Sequence, residues 1–125
     1  MPARDPLARL RAACLALPDA HEVEAWGEPT FRVRNRIFAM YAGPGTHHRA
    51  GRPGVWLHAA AENQALLVAA EPERYFVPPY VGARGWVGAW LDGACDWTAL
   101  AELIADAHRR VAPKPRRPTR TPGDP

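Results

Sequence analysis

Leu7, Leu10, Cys14 and Leu17 recur at helical spacing. Asp5 stands where a cap belongs and Pro6 in the first turn, so a helix is predicted from there until Pro18 stops it. The period then changes to two. His21 to Trp26 alternates as a strand does, and Gly27-Glu28-Pro29 reads as a turn. Thr30–Arg34 and Arg36–Tyr41 are two further strand-like runs, rich in Phe, Val and Ile, with Arg34-Asn35 as a two-residue hairpin turn between them. Asn tolerates the positive φ such a turn needs. In that register Phe31 faces Phe38 and shares its side of the sheet. Gly43 to Gly54 is a loop, and Val55 to His58 a short strand.

Glu62 to Ala70 is predicted helical. Pro72 to Gly85 is irregular apart from a short helical turn near Glu73. Trp86 to Leu91 is the last strand, turned by Asp92-Gly93. Asp96 caps a closing helix that carries Leu100, Leu103, Ile104, Ala107 and Val111 on one face. Arg109 and Arg110 lie in its last turn, where cations suit the helix dipole. The order implies a single α+β domain over residues 1–112: an antiparallel sheet packed on one face by helices. Residues 113–125 hold five prolines and form a basic tail that is expected to stay disordered.

Length and composition narrow this picture. At 125 residues the chain makes one domain with a core of its own. No apolar stretch approaches the roughly 20 residues of a membrane-spanning helix. Residues 1–10 lack a signal-peptide core, which points to the cytoplasm. Cys14 and Cys95 read as small buried groups in that compartment. Charge changes the reading more. Of 16 basic and 13 acidic residues, Lys114, Arg116, Arg117, Arg120 and Asp124 lie in the tail, which leaves twelve of each sign in the body. The net charge of +3 therefore belongs to the tail, and a nucleic-acid argument must rest on local patches or on the tail.

Candidate chemistry is sparse. There is no CxxC or HExxH, and His47-His48 are adjacent, so no metal site is expected. Gly43-Pro44-Gly45 lacks the rest of a phosphate loop. Gly82, Gly85 and Gly88 run into a strand rather than opening a helix, which makes them structural. The chain contains no serine. Cys95, Asp106 and His108 combine into a catalytic set only on paper, since Asp106 and His108 point to different sides of a helix. Glu22 and Glu24 read as a solvent face. Neither enzymatic function nor a cofactor is expected.

A mixture of arginines and aromatics remains. Arg32, Arg34 and Arg36 surround the Asn35 hairpin, Arg49 and Arg52 sit in the glycine-rich loop, and Arg84 precedes Trp86. Arginines at loop tips grip phosphates, and exposed aromatics stack. The bland alternative makes Trp26, Trp86 and Trp90 core or half-core residues and the arginines solubilising ones. Trp86, at a strand start, is expected to be mainly structural. A contiguous basic stripe would favour DNA. Scattered arginines around an apolar cleft near Trp26, Tyr80 and Trp86 would favour a small molecule or a protein.

Three stretches resemble the MmcQ/YjbR family. They are Trp26-Gly27-Glu28-Pro29-Thr30-Phe31-Arg32-Val33 followed by Arg36-Ile37-Phe38-Ala39, then Pro79-Tyr80-Val81-Gly82-Ala83-Arg84-Gly85-Trp86-Val87, then Leu103-Ile104 through Val111-Ala112-Pro113-Lys114. The resemblance spans about residues 7 to 114 and implies a CyaY-like α+β fold with a "double wing" arrangement. It also implies a non-catalytic DNA-binding role, for which the hairpin and loop arginines Arg32, Arg34, Arg36, Arg49, Arg52 and Arg84 are the candidate phosphate contacts. The chain departs from the family pattern in its long 43–54 loop, in Arg34-Asn35 where Gly is common, and in Ala107-His108 where an aromatic is usual. The oligomeric state is not legible, a monomer being the simplest reading.

Overall fold

The computed structural model describes residues 5–44, 51–93 and 95–113. The expected tail from Lys114 onward, His47-His48 and Arg49 lie outside the described residues. Helix α1 spans Pro6–Leu15 and is followed by strands β1 (Ala20–Ala25), β2 (Glu28–Val33), β3 (Arg36–Ala42) and β4 (Gly54–Leu57). Helix α2 (Ala61–Ala70), the two-residue strand β5 (Tyr75–Phe76), strand β6 (Val87–Trp90) and helix α3 (Trp97–Val111) follow among the described residues. A short 3-10 turn, Val81–Arg84, sits between β5 and β6. All six strands join one antiparallel sheet in the order β1-β2-β3-β4-β6-β5. No helix among the described residues is long and apolar enough to cross a membrane.

The caps lie where the sequence puts them. Asp5 accepts from the Leu7 N–H at 3.1 Å, and Asp96 from Thr98 and Ala99 at 3.0 and 3.1 Å. The first hairpin turn is shifted from the expected one. It is Trp26-Gly27, both at positive φ, so Glu28 and Pro29 belong to β2. Pro29 is tolerated there because pairing with β3 starts only at Thr30, so no ladder bond to β3 is lost. The Arg34-Asn35 turn holds as expected, with φ of 50° and 69°. Strand β5, in the stretch read as irregular, is too short to show a period.

The β2–β3 register is also corrected. Phe31 pairs with Ala39 and Arg32 with Ile37, so Phe38 is the extra residue of a β-bulge. The bulge turns two successive residues, Phe38 and Ala39, toward the helices, while Ile37 and Met40 face away. Phe31 and Phe38 are both fully buried in the same core, so the shared face survives the change of register. That core lies between the sheet and helices α1 and α3, with Leu10, Cys14, Leu100, Ile104, Ala107 and Val111 meeting Val33, Val55, Leu57 and Val87. Burying each large side chain contributes roughly 1.5–3 kcal/mol.

Polar contacts brace the helix layer. Glu22 faces α1 rather than open solvent, and both its oxygens accept from Arg11 at 2.7 and 2.9 Å. The His108 Nε2 lies 2.7 Å from the Pro18 carbonyl oxygen, and its ring stands edge-on to Phe38. Asp106 pairs with Arg109 at 3.3 Å. Cys95 sits beside Asp96, and burial pushes its thiol pKa up. The three residues that formed a catalytic set on paper are thus engaged separately.

Candidate functional site

Opposite the helices, the sheet carries a second, smaller cluster of Met40, Ala42, Trp56 and Trp86, flanked by Ile37, Phe76 and Val81. Strand alternation fixes which residues reach it. Met40, Trp56 and Gly88 lie in one row across β3, β4 and β6. Gly88 leaves room for Phe76 of β5, whose ring occupies the space a β-carbon at residue 88 would need. Phe76 in turn stacks on Trp90 with ring centroids 4.2 Å apart.

The chain between β5 and β6 arches over this face. Gln64 of α2 holds it, its amide donating to the carbonyl oxygens of Gly82 at 2.8 Å and Trp86 at 2.6 Å. Gly85 has φ of 96°, and a β-carbon there would approach the Ala61 nitrogen to 2.6 Å, so glycine is required. Tyr80 sits at φ 65° and ψ −66°. The Val81 N–H donates to the Pro79 carbonyl at 2.6 Å, closing a γ-turn of the positive-φ kind. A non-glycine residue there costs about 1–3 kcal/mol of local strain, and such strain clusters at functional sites. Yet Tyr80 is 77% exposed, with its ring 6.2 Å from that of Trp56.

Beneath Tyr80 opens a cleft of about 840 Å³. Ile37, Met40, Trp56 and Trp86 form its apolar floor and wall, and Trp26 and Tyr80 stand on its margin. Asn35, Arg36, His58 and Arg84 supply its polar side. Trp26, from the β1–β2 turn, is 66% exposed rather than a core residue. Trp86 is only 6% exposed, as its structural reading requires, and its ring packs 5.2 Å from that of His58.

The five described arginines of the candidate set divide. Arg36 and Arg84 are exposed and line the cleft. Among the described residues neither makes an ion pair. Arg32 is spent on the hairpin, donating to Thr30 Oγ1 at 3.0 Å and Asn35 Oδ1 at 2.8 Å. Arg34 is exposed at the turn itself. Arg52 is clamped on Asp92 at 2.8 Å beyond the Gly54 end of the sheet, away from Arg36. Arg36 and Arg84 therefore share the cleft, while Arg52 lies away from it and Arg49 is outside the described residues.

His58, Met40 and Trp56 escaped the sequence reading. Their signal, a period of two on β3 and β4, does not say which face is open. Arg110 of α3 donates from Nε to His58 Nδ1 at 3.1 Å, which makes Nδ1 the acceptor and leaves the ring proton on Nε2. Burial, then the charges of Arg110 and Arg36, hold the imidazole below its ordinary pKa. At neutral pH it is an uncharged donor.

The fold and part of the sequence have known counterparts. Protein DR2400 of Deinococcus radiodurans, which carries the domain of unknown function DUF419, superposes with a TM-score of 0.67 at 22% identity, covering 83% of this chain and 78% of that one. A protein from Pseudomonas syringae superposes with a TM-score of 0.66 at 14% identity, covering 84% and 97%. No curated protein matches the chain in sequence. The profile of the YjbR family matches residues 15–110, which take in β1 to β6, α2, the strap that carries Tyr80 and nearly all of α3, and the chain belongs to that family.

Proposed function

We propose that the chain is a non-catalytic DNA-binding protein that takes single-stranded DNA on the open face of its sheet. The observation that carries this reading is one cleft lined both by exposed aromatics, Trp26 and Tyr80, and by arginines with no carboxylate partner among the described residues, Arg36 and Arg84. Bases stack on such rings for about 1–3 kcal/mol each, whatever their identity. A duplex hides its ring faces and offers phosphates on a convex surface, which suits a broad basic patch. Arg52 is withdrawn from any such patch, and the body carries as many acidic as basic residues. The separate engagement of Cys95, Asp106 and His108 supports the absence of catalysis, and cytoplasmic location as a monomer fits the same reading.

Fluorescence anisotropy with a labelled oligothymidine and a duplex of equal length tests it. The single strand is expected to bind more tightly, and Tyr80→Ala to weaken it by roughly 5- to 150-fold. Replacing Arg36 and Arg84 with Gln should flatten the slope of log affinity against log salt by about 1.4. Tighter binding of the duplex, or binding of neither, overturns the proposal. The cleft volume also lies within the roughly 300–1,000 Å³ of small-molecule sites. A free anionic ring compound is therefore the second reading, and it is favoured if a mononucleotide binds as tightly as the strand.

A further inference from the structure

We propose that the end of the cleft formed by Arg36, His58 and Arg84 is an oxyanion subsite for one phosphate group, in which His58 becomes protonated when the anion is bound. The proposal rests on the reading of the cleft as the ligand site and adds what that site holds and how pH regulates it.

Arg36 from the start of β3 and Arg84 from the 3-10 turn line the same cleft as His58, and Arg110 from α3 is hydrogen-bonded to His58. None of the three arginines makes an ion pair with a described carboxylate, whereas Arg11, Arg52, Arg74 and Arg109 all do. His58 has Trp86 against its ring. Its Nδ1 is occupied by Arg110, and no described group accepts from Nε2. The cleft thus offers an N–H donor and two exposed guanidinium groups with no described carboxylate to satisfy them. A tetrahedral oxyanion supplies the missing charge and acceptors.

The charged groups around His58 decide its response. Arg36 and Arg110 both disfavour its protonation in the free protein. A bound dianion reverses that balance, so occupancy raises the His58 pKa, and by linkage the anion binds more tightly as pH falls through that range. A second proton on the imidazole also releases Arg110 from Nδ1, giving the anion another donor within reach.

Sulfate is a suitable probe because, unlike a phosphate monoester, it keeps its charge across the histidine range. The His58 ring signals are followed by NMR from about pH 5 to 8, with sodium sulfate replacing sodium chloride at constant ionic strength. Sulfate is expected to raise the His58 midpoint by about one pH unit, a tenfold coupling. In the chain carrying Arg36→Gln and Arg84→Gln the rise should vanish. An unmoved His58 in the wild type, or an equal rise in the double variant, overturns the subsite. The oligothymidine of the preceding test separates the two claims. Binding of the strand without any change at His58 sinks the subsite and leaves the cleft reading intact. A response to sulfate with no binding of the strand keeps the subsite, with a free anion as its source, and sinks the nucleic-acid reading.

Discussion

Arg52 donates to both carboxylate oxygens of Asp92, 40 residues further on, while its guanidinium lies 4.3 Å over the ring of Trp90. The pair ties the approach to β4 to the exit of β6 and gives the Arg52 guanidinium partners within the protein. Arg52→Ala is expected to lower stability by about 1 kcal/mol, since the pair is partly exposed and screened. It should leave oligonucleotide affinity unchanged. Denaturant titration and anisotropy on the same variant check both halves, and lost affinity at full stability would return Arg52 to the binding surface.

Trp86 is expected to matter chiefly for stability. Trp86→Ala should cost about 3–5 kcal/mol, because the indole is buried between the open-face cluster and His58. Urea unfolding followed by the remaining tryptophans measures this. A loss below about 1 kcal/mol with binding abolished would assign the ring to recognition instead.

Gly88→Ala places a methyl group on the Phe76 ring, which is itself held by Trp90. Overpacking of this kind costs about 1–3 kcal/mol. The double change Gly88→Ala with Phe76→Leu should recover part of the loss, and a purely additive result in a double-mutant cycle would rule out the contact as the cause.

Tyr80 is predicted to behave oppositely to Trp86. Tyr80→Gly removes an exposed ring and relieves a positive φ, so stability should hold or rise by up to about 1 kcal/mol while binding weakens. Thermal unfolding and anisotropy compared side by side decide it. A marked drop in the unfolding midpoint would mean that the ring is part of the core.

Acid sensitivity is expected to track Glu22. Its hydrogen bonds from Arg11, against an opposing effect of burial, hold the carboxyl below its ordinary pKa. The folded value lies below the unfolded one, so the stabilisation is complete above about pH 4.3 and is lost as pH falls through the folded value. Glu22→Gln should therefore lose less stability than the wild type between neutral pH and that range. Parallel pH profiles for the two proteins would exclude the Arg11–Glu22 pair as a contributor.

Local rules determined much of this protein from sequence alone. The caps at Asp5 and Asp96, the helical stripes of α1 and α3, and the Arg34-Asn35 turn depend on residues within a few positions of one another, where propensity and periodicity act. The same rules set Asp106 and His108 on different sides of α3. Tertiary structure decided the rest. The bulge at Phe38 arises because two successive residues both gain by facing the helices, a balance visible only once α3 is packed on β3. β5 exists because Gly88 leaves space for Phe76, a contact across strands that no short window contains. Which arginine is free and which is clamped depends on partners as distant as Asp92 from Arg52. The cleft follows from strand order: β4 beside β6 brings Trp56, His58 and Trp86 onto the face opposite the main core, and an alternating strand pattern cannot say which of its two faces that is.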